Sequence, residues 1–292
     1  MIVFLSTHGT KKRLVLISRY IALCVLLVIL QACSSIPTTQ SRIDTVQQLA
    51  SQKNWQSQLI TTSAFKLQSY VPIPPILSNR LTIYIEGDGL AWLSRRTISS
   101  DPTPTDPLTL KLALLDKDNA VYLARPCQYV WSQNCDSRMW TSARFSPEVL
   151  QSMNQAINEL KTEFKATSLR LIGYSGGGAI ATLLAAERKD VDQLVTVAGN
   201  LDTDFWTDLQ NISPLTESLN PADIWQKLVN VQQIHFVGSE DNIMPEAVAQ
   251  SYQRHFPQSE QPLVRVITGM THHCCWVEHW PEILQEISEV EK

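Results

Sequence analysis

The sequence predicts an α/β chain: a mostly parallel sheet with helices on both faces. Three observations carry that prediction. Short apolar runs rich in β-branched residues alternate with helical stretches from Leu81 to the C-terminus. The stretch Leu169–Thr182 passes from a buried-strand pattern (Leu169, Leu171, Ile172) to a helix-forming one (Ala179 to Ala186) through a few glycine-rich residues. No internal repeat and no second domain boundary breaks the alternation.

The chain has 292 residues, a net charge of -4 and 44% hydrophobic residues, enough for one large or two small domains with ample core. No basic block stands out after the first twenty residues, so the electrostatic footprint of a nucleic-acid binder is missing.

The N-terminus reads as an export signal. Lys11, Lys12, Arg13 and Arg19 form a positive region, and Tyr20–Leu30 is a short apolar run. That run is about 11 residues, short of the roughly 20 needed to span a bilayer. It closes on Leu30-Gln31-Ala32-Cys33, which resembles a bacterial lipobox. The resemblance implies cleavage before Cys33, lipidation of Cys33, and, with Ser34 following, an outer-membrane lipoprotein facing the periplasm. Residues 1–32 are then a signal peptide, 33–56 a tether and 57–292 the folded domain. Export places Cys127, Cys135, Cys274 and Cys275 in an oxidising compartment, where they are candidates for disulfides whose connectivity stays open.

Within the tether the pattern allows one short helix, Ile43 to Ala50. Thr61–Val71 reads as an exposed strand ended by Pro72, Pro74 and Pro75. Leu81–Glu86 is a buried strand by its β-branched and aromatic content. Prolines 102, 104 and 107 keep Ser99–Pro107 irregular, Leu108–Asp116 is a helix and Ala120–Ala124 a strand. Arg125–Phe145 is an irregular loop rich in Trp, Cys and Arg. Ser146-Pro147-Glu148 opens a helix through Phe164, with serine as cap and proline in the first turn. Ser168–Tyr174 and Gln193–Val197 are strands. Asp202–Asn230 is an excursion over the sheet edge, and Gln232–Val237, Pro245–His255, Leu263–Ile267 and Trp280–Val290 are strand, helix, strand and helix.

Gly173-Tyr174-Ser175-Gly176-Gly177 matches G-x-S-x-G in its strand-turn-helix context. There the chain reverses within a few residues and lifts the serine out of the sheet. The competing uses of such glycines fit poorly. A phosphate-binding Walker loop needs Lys-Ser/Thr where Ala179 stands, and a dinucleotide fingerprint needs glycine at Ser175.

A serine nucleophile needs a base, and the base an orienting acid. Asp241 follows the Gln232–Val237 strand, at the sheet edge where ligands bind in such folds. Glu240 is the alternative acid, and Asp202 or Asp204 a third; Asp241 as a mere helix cap is the bland reading. Of the histidines, His235 lies in a strand, His255 ends a helix and His279 precedes one. His272 and His273 follow a strand directly, with His272 the candidate base and His273 its alternative. A metal site on His272, His273, Cys274 and Cys275 is disfavoured, since adjacent ligands rarely close around one ion; no cofactor is expected.

The chain order Ser175, Asp241, His272 resembles that of the α/β-hydrolases. Ile85-Glu86-Gly87-Asp88-Gly89, Arg125-Pro126-Cys127-Gln128-Tyr129 and His273-Cys274-Cys275-Trp276 resemble a little-described secreted bacterial branch of that superfamily. The resemblance runs from about Leu81 to the C-terminus. It implies an ester or thioester hydrolase acting on a small-molecule or lipid acyl substrate. It also implies an oxyanion hole made by the N–H of Gly176 and that of Asp88 or Gly89. The sequence departs from many lipases in having Glu86-Gly87 where they show His-Gly. The competing class is a catalytically inactive scaffold or binding lipoprotein on the same fold.

The lipobox makes one direct prediction. Cys33→Ala abolishes metabolic labelling with palmitate and leaves an unprocessed precursor; unchanged labelling excludes the anchor.

Overall fold

The computed structural model describes residues 36–290. Residues 1–32, read from the sequence as a signal peptide, and Cys33 lie outside the described residues. Thr38–Lys292 forms one compact unit.

An eight-stranded sheet organises that unit. In chain order the elements are α1 (Thr39–Ser51), β1 (Trp55–Thr61), β2 (Lys66–Pro72), β3 (Arg80–Ile85) and a small hairpin of β4 (Trp92–Ser94) and β5 (Thr97–Ile98). Then come α2 (Leu108–Ala113), β6 (Ala120–Leu123), α3 (Pro147–Glu163), β7 (Ser168–Tyr174) and α4 (Gly176–Glu187). The chain ends with β8 (Val191–Val197), α5 (Thr203–Gln210), β9 (Gln232–Gly238), α6 (Glu246–Arg254), β10 (Leu263–Ile267) and α7 (Trp276–Glu289). Strand order is β1-β2-β6-β3-β7-β8-β9-β10. All neighbours from β6 to β10 pair in parallel, while β1–β2 and β2–β6 are antiparallel.

The strands explain themselves chemically. β3, β6, β7, β8 and β9 are buried almost throughout, so both faces carry apolar residues and the sequence shows runs rather than strict alternation. β10 closes the sheet as a half-exposed edge. In α3, Val149, Met153, Ala156, Ile157 and Leu160 form the buried stripe at helical spacing. Its Ser146 cap accepts the Val149 N–H, as the Ser-Pro-Glu pattern predicts. α4 is buried from Gly176 through Ala185, which accounts for its lack of any polar face.

Three expectations need correction, and one element is new. The tether ends earlier than residue 56: α1 is a full helix that packs on β1 and α2, with Arg42, Val46 and Ala50 buried, and β1 begins at Trp55. Its polar composition hid a narrow buried stripe. The single exposed strand over Thr61–Val71 is a hairpin instead. It turns at Ser63-Ala64, and Phe65, Leu67, Tyr70 and Val71 are buried. The last helix starts at Trp276, not Trp280, so Trp276 is a core residue and His279 lies inside the helix. The hairpin β4–β5 was not anticipated, because Trp92-Leu93-Ser94 is too short to show a period.

Helix α1 supplies a test. Val46→Ala is expected to destabilise the domain by roughly 2 kcal/mol, the lost methyls plus a small cavity. Thermal or urea unfolding measures it; a loose tether would lose nothing.

Candidate active site

The parallel strands run so that their C-terminal ends share one edge, and the loops leaving that edge carry the candidate side chains. β7 delivers Ser175 through its turn into α4. Ser175 has φ 51 and ψ -121, a strained region for a non-glycine residue. The turn requires close approach of backbones. A Cβ on Gly173 would collide with the carbonyl of Gly177, and one on Gly177 with the carbonyl of Ile85 at the end of β3.

The loop after β9 presents Asp241, and the loop after β10 presents His272. Hydrogen bonds lace these two loops together: Ser239 N–H to the Ile267 carbonyl (3.0 Å), Glu240 N–H to the Met270 carbonyl (2.9 Å), and Gly269 N–H to Ser239 Oγ (2.9 Å). His272 Nε2 lies 3.0 Å from Ser175 Oγ, and its Nδ1 lies 2.8 Å from Asp241 Oδ2. All three side chains are buried. Asp241 is a cap as well: its Oδ1 accepts the N–H groups of Ile243 (2.9 Å) and Met244 (2.7 Å). The cap orients the carboxylate and leaves the other oxygen for the imidazole.

The alternatives fall elsewhere. Glu240 is exposed. Asp202 caps α5 through the Phe205 N–H and accepts the Ser251 hydroxyl, and Asp204 is exposed on α5. His273 is exposed, with Nδ1 3.0 Å from the Tyr174 hydroxyl; partial burial and the neighbouring His272 hold its pKa down. His235 is sealed in the core, where burial pushes its pKa down to about 3 and keeps it neutral. Cys274 and Cys275 are bonded to each other, as are Cys127 and Cys135. With both ring nitrogens of His272 engaged, the metal reading has no ligand set there. Among the described residues no group of three or more His, Cys, Asp or Glu side chains is placed to hold an ion.

Two positioning residues escaped the sequence reading. Tyr174 Oη (3.0 Å) and Trp276 Nε1 (3.2 Å) both donate to the His272 carbonyl, and the Tyr174 ring lies 5.2 Å from the imidazole. Tyr174 sits at the variable position of the serine motif, so its type signalled nothing. Trp276 was hidden by the late helix start.

The loop after β3 faces Ser175. Among the described residues the N–H groups of Gly176 and Asp88 meet no acceptor within the chain. The Asp88 carboxylate packs against the Cα of Gly176 and pairs with Arg125 and with Arg144 Nη1 (2.6 Å). Burial alone would raise the Asp88 pKa, but the two guanidinium groups outweigh it and hold the carboxyl below its usual range. Gln128 Nε2 donates to the Gly87 carbonyl (2.9 Å) while its Oε1 accepts the Arg125 N–H (3.0 Å). The Arg125–Phe145 loop is therefore the scaffold of the Gly87–Gly89 turn. Its Trp140 is buried against the Ser99 carbonyl rather than in a pocket.

Glu86 lies beneath the same turn. Its Oε1 accepts the Gly87 N–H (2.8 Å) and the Thr109 hydroxyl (2.7 Å), and its Oε2 accepts the Tyr122 hydroxyl (2.9 Å). Burial pushes its pKa up to about 7, only partly offset by those three donors. Above Ser175 opens a cleft of about 340 Å³, lined among others by Asp88, Arg144, Trp92, Trp206 and Ile243.

No family model matches the sequence, and no curated protein matches it. Solved structures do match. Est1E from Butyrivibrio proteoclasticus superposes with a TM-score of 0.56 at 15% identity, covering 81% of this chain and 99% of that one. The esterase Pf2001 of Pyrococcus furiosus gives 0.56 at 15% identity, over 80% of this chain and 90% of that one. XC6422 of Xanthomonas campestris, an α/β serine hydrolase without a lid, gives 0.53 at 12% identity, over 81% and 94%. The fold is that of the α/β-hydrolases. In the α/β-hydrolase frame Ser175, Asp241 and His272 stand on the loops after β7, β9 and β10, and at these low identities the likeness extends to the fold alone.

Glu86 yields a pH prediction. Its folded pKa lies above the unfolded value of about 4.3, so the native state binds the extra proton and stability falls as pH rises from there through about 7. Glu86→Gln keeps the acceptor for Gly87 and removes the charge. The stability of Glu86→Gln relative to the parent is expected to grow by about 3 kcal/mol across that window. Urea unfolding of both proteins from pH 4 to 8 measures it; parallel profiles refute the assignment.

Proposed function

We propose that the chain is a serine hydrolase that cleaves a carboxylic ester or thioester through an acyl-enzyme. The supporting observation is the continuous hydrogen-bonded chain from Ser175 Oγ through His272 to Asp241 on the floor of an open cleft. The substrate class is a small-molecule or lipid acyl group, and the protein is held at the membrane through a lipid on Cys33, on the periplasmic side of the outer membrane.

The geometry supports the following steps. His272 Nε2 takes the proton of Ser175 Oγ as the oxygen attacks the acyl carbonyl. Asp241 accepts the Nδ1–H bond, which leaves Nε2 as the accepting nitrogen and stabilises the imidazolium once formed. The carbonyl oxygen becomes an oxyanion, and the N–H groups of Gly176 and Asp88, the latter with Gly89 as alternative, donate to it. Groups that need not reorganise when charge develops are worth about 10²–10³ in rate each. The imidazolium then protonates the departing alcohol or thiol. Water attacks the acyl-enzyme by the same route, His272 again acting as base, and Ser175 is regenerated. The positive φ at Ser175 is the kind of backbone strain that clusters at such sites.

The assignments separate by mutation. Ser175→Ala abolishes fluorophosphonate labelling and esterase turnover without unfolding the domain. His272→Ala does nearly the same, whereas His273→Ala leaves most of the rate. Asp241→Asn lowers kcat by about 10⁴, because the amide favours the wrong tautomer. A panel of p-nitrophenyl esters graded by chain length reads turnover. Wild-type activity in Ser175→Ala overturns the nucleophile assignment, whereas a parent with neither labelling nor turnover leaves a binding or scaffold lipoprotein as the function.

A further inference from the structure

Exposed apolar side chains gather on one rim of the cleft. The β4–β5 hairpin exposes Trp92, Leu93 and Ile98, and Trp92 lines the cleft mouth. Ile243, exposed on the turn that carries Asp241, lines it too. Leu209, beside Gln210 at the end of α5, is exposed as well. Hydrogen bonds join the three segments. Arg95 Nη2 donates to the Gln210 carbonyl (3.2 Å), and Gln210 Nε2 donates to the carbonyls of Asn242 (2.8 Å) and Ile243 (3.2 Å). This collar consists of linked segments at one rim of the cleft mouth rather than scattered single residues, which is the kind of patch that marks an interaction site.

Its chemistry selects the partner. The hairpin tip is Arg95-Arg96, both exposed, beside an exposed tryptophan and leucine. Aromatic and aliphatic side chains next to two cations suit the headgroup and acyl boundary of an anionic bilayer. The exposed acids of α5, Asp204 and Asp208, oppose close approach of that helix to anionic lipid and leave the hairpin as the inserting element.

Where the chain enters the domain points the same way. The Thr39 hydroxyl and the Arg42 guanidinium both bind the Asp101 carboxylate, and Arg42 also binds the Thr103 carbonyl. Asp101 lies just beyond β5, so α1 begins beside the return strand of the hairpin. The stretch from Cys33 to Thr39 spans at most about 20 Å fully extended. A lipid on Cys33 therefore keeps this side of the domain close to the bilayer.

We infer that the β4–β5 hairpin docks on an anionic phospholipid bilayer and holds the cleft mouth against it, so that the acyl chain of a membrane lipid enters from the bilayer. The substrate half of this inference rests on the proposed hydrolase activity and the direction of approach on the proposed anchor; the docking itself needs neither.

The test reads docking apart from chemistry. Full-length Ser175→Ala protein is reconstituted in phosphatidylcholine–phosphatidylglycerol vesicles whose acyl chains carry bromine, and tryptophan fluorescence is recorded. Quenching is expected, and Trp92→Phe removes most of it. No quenching, or equal quenching with Trp92→Phe, overturns the docking. In the active protein, the triple variant Leu93→Asp, Arg95→Ala, Arg96→Ala keeps the parent rate on a water-soluble ester. Its release of fatty acid from phosphatidylglycerol vesicles falls about tenfold. Equal rates on both substrates overturn the inference. Quenching in a protein that cleaves neither substrate supports docking while rejecting the hydrolase reading. Loss of a dimer in the triple variant, with no quenching in the parent, gives the collar to a second copy of the chain and overturns the bilayer.

Discussion

The fold turns on how closely α4 approaches the strands β3 and β7. A serine held at positive φ between a strand and a helix is stable only where the surrounding backbone over-determines it. Here the determinants are the glycine contacts: Gly173 against the Gly177 carbonyl and Gly177 against that of Ile85. Larger residues would push the helix away from the sheet. The serine would then relax, and its hydroxyl would leave the 3.0 Å contact with His272. The burial of α4 on all sides follows from the same approach, since a helix wedged so near the sheet centre has no face left for water.

Charge under the neighbouring turn is arranged in two layers. Asp88 is held ionised by Arg125 and Arg144 at the cleft wall, while Glu86, one turn deeper, titrates near neutrality because burial outweighs its three donors. The inner carboxyl fixes the Gly87 N–H, and the outer one fixes two arginines from a loop that has almost no regular structure of its own. That loop also carries the Cys127–Cys135 disulfide and donates Gln128 to the Gly87 carbonyl. An irregular segment thus becomes a rigid support, held by directional polar contacts and one covalent bond rather than by a secondary-structure ladder.

What the sequence determined by itself was local. Runs of buried residues set the parallel strands, Ser146-Pro147 set the start of α3, and Gly-x-Ser-x-Gly between a strand and a helix set the turn at Ser175, because these patterns are written in neighbouring residues. Loop position narrowed the partners to a few: Asp241 or Glu240, His272 or His273. The sequence ranked Asp241 and His272 first but could not exclude the neighbour in either pair. A shift of one residue along a loop turns a side chain from the cleft to solvent, and that direction is set by contacts between distant segments, such as Tyr174 and Trp276 on the His272 carbonyl. The same holds for α1. Its residues read as a tether because only Arg42, Val46 and Ala50 meet the core, and that stripe acquires meaning once β1 and α2 lie beneath it. The ionisation of Glu86 was likewise decided by the tertiary structure. A carboxyl after a strand is ordinary in sequence, and only enclosure by Thr109, Tyr122 and the Gly87 turn removes the water that would keep its pKa low.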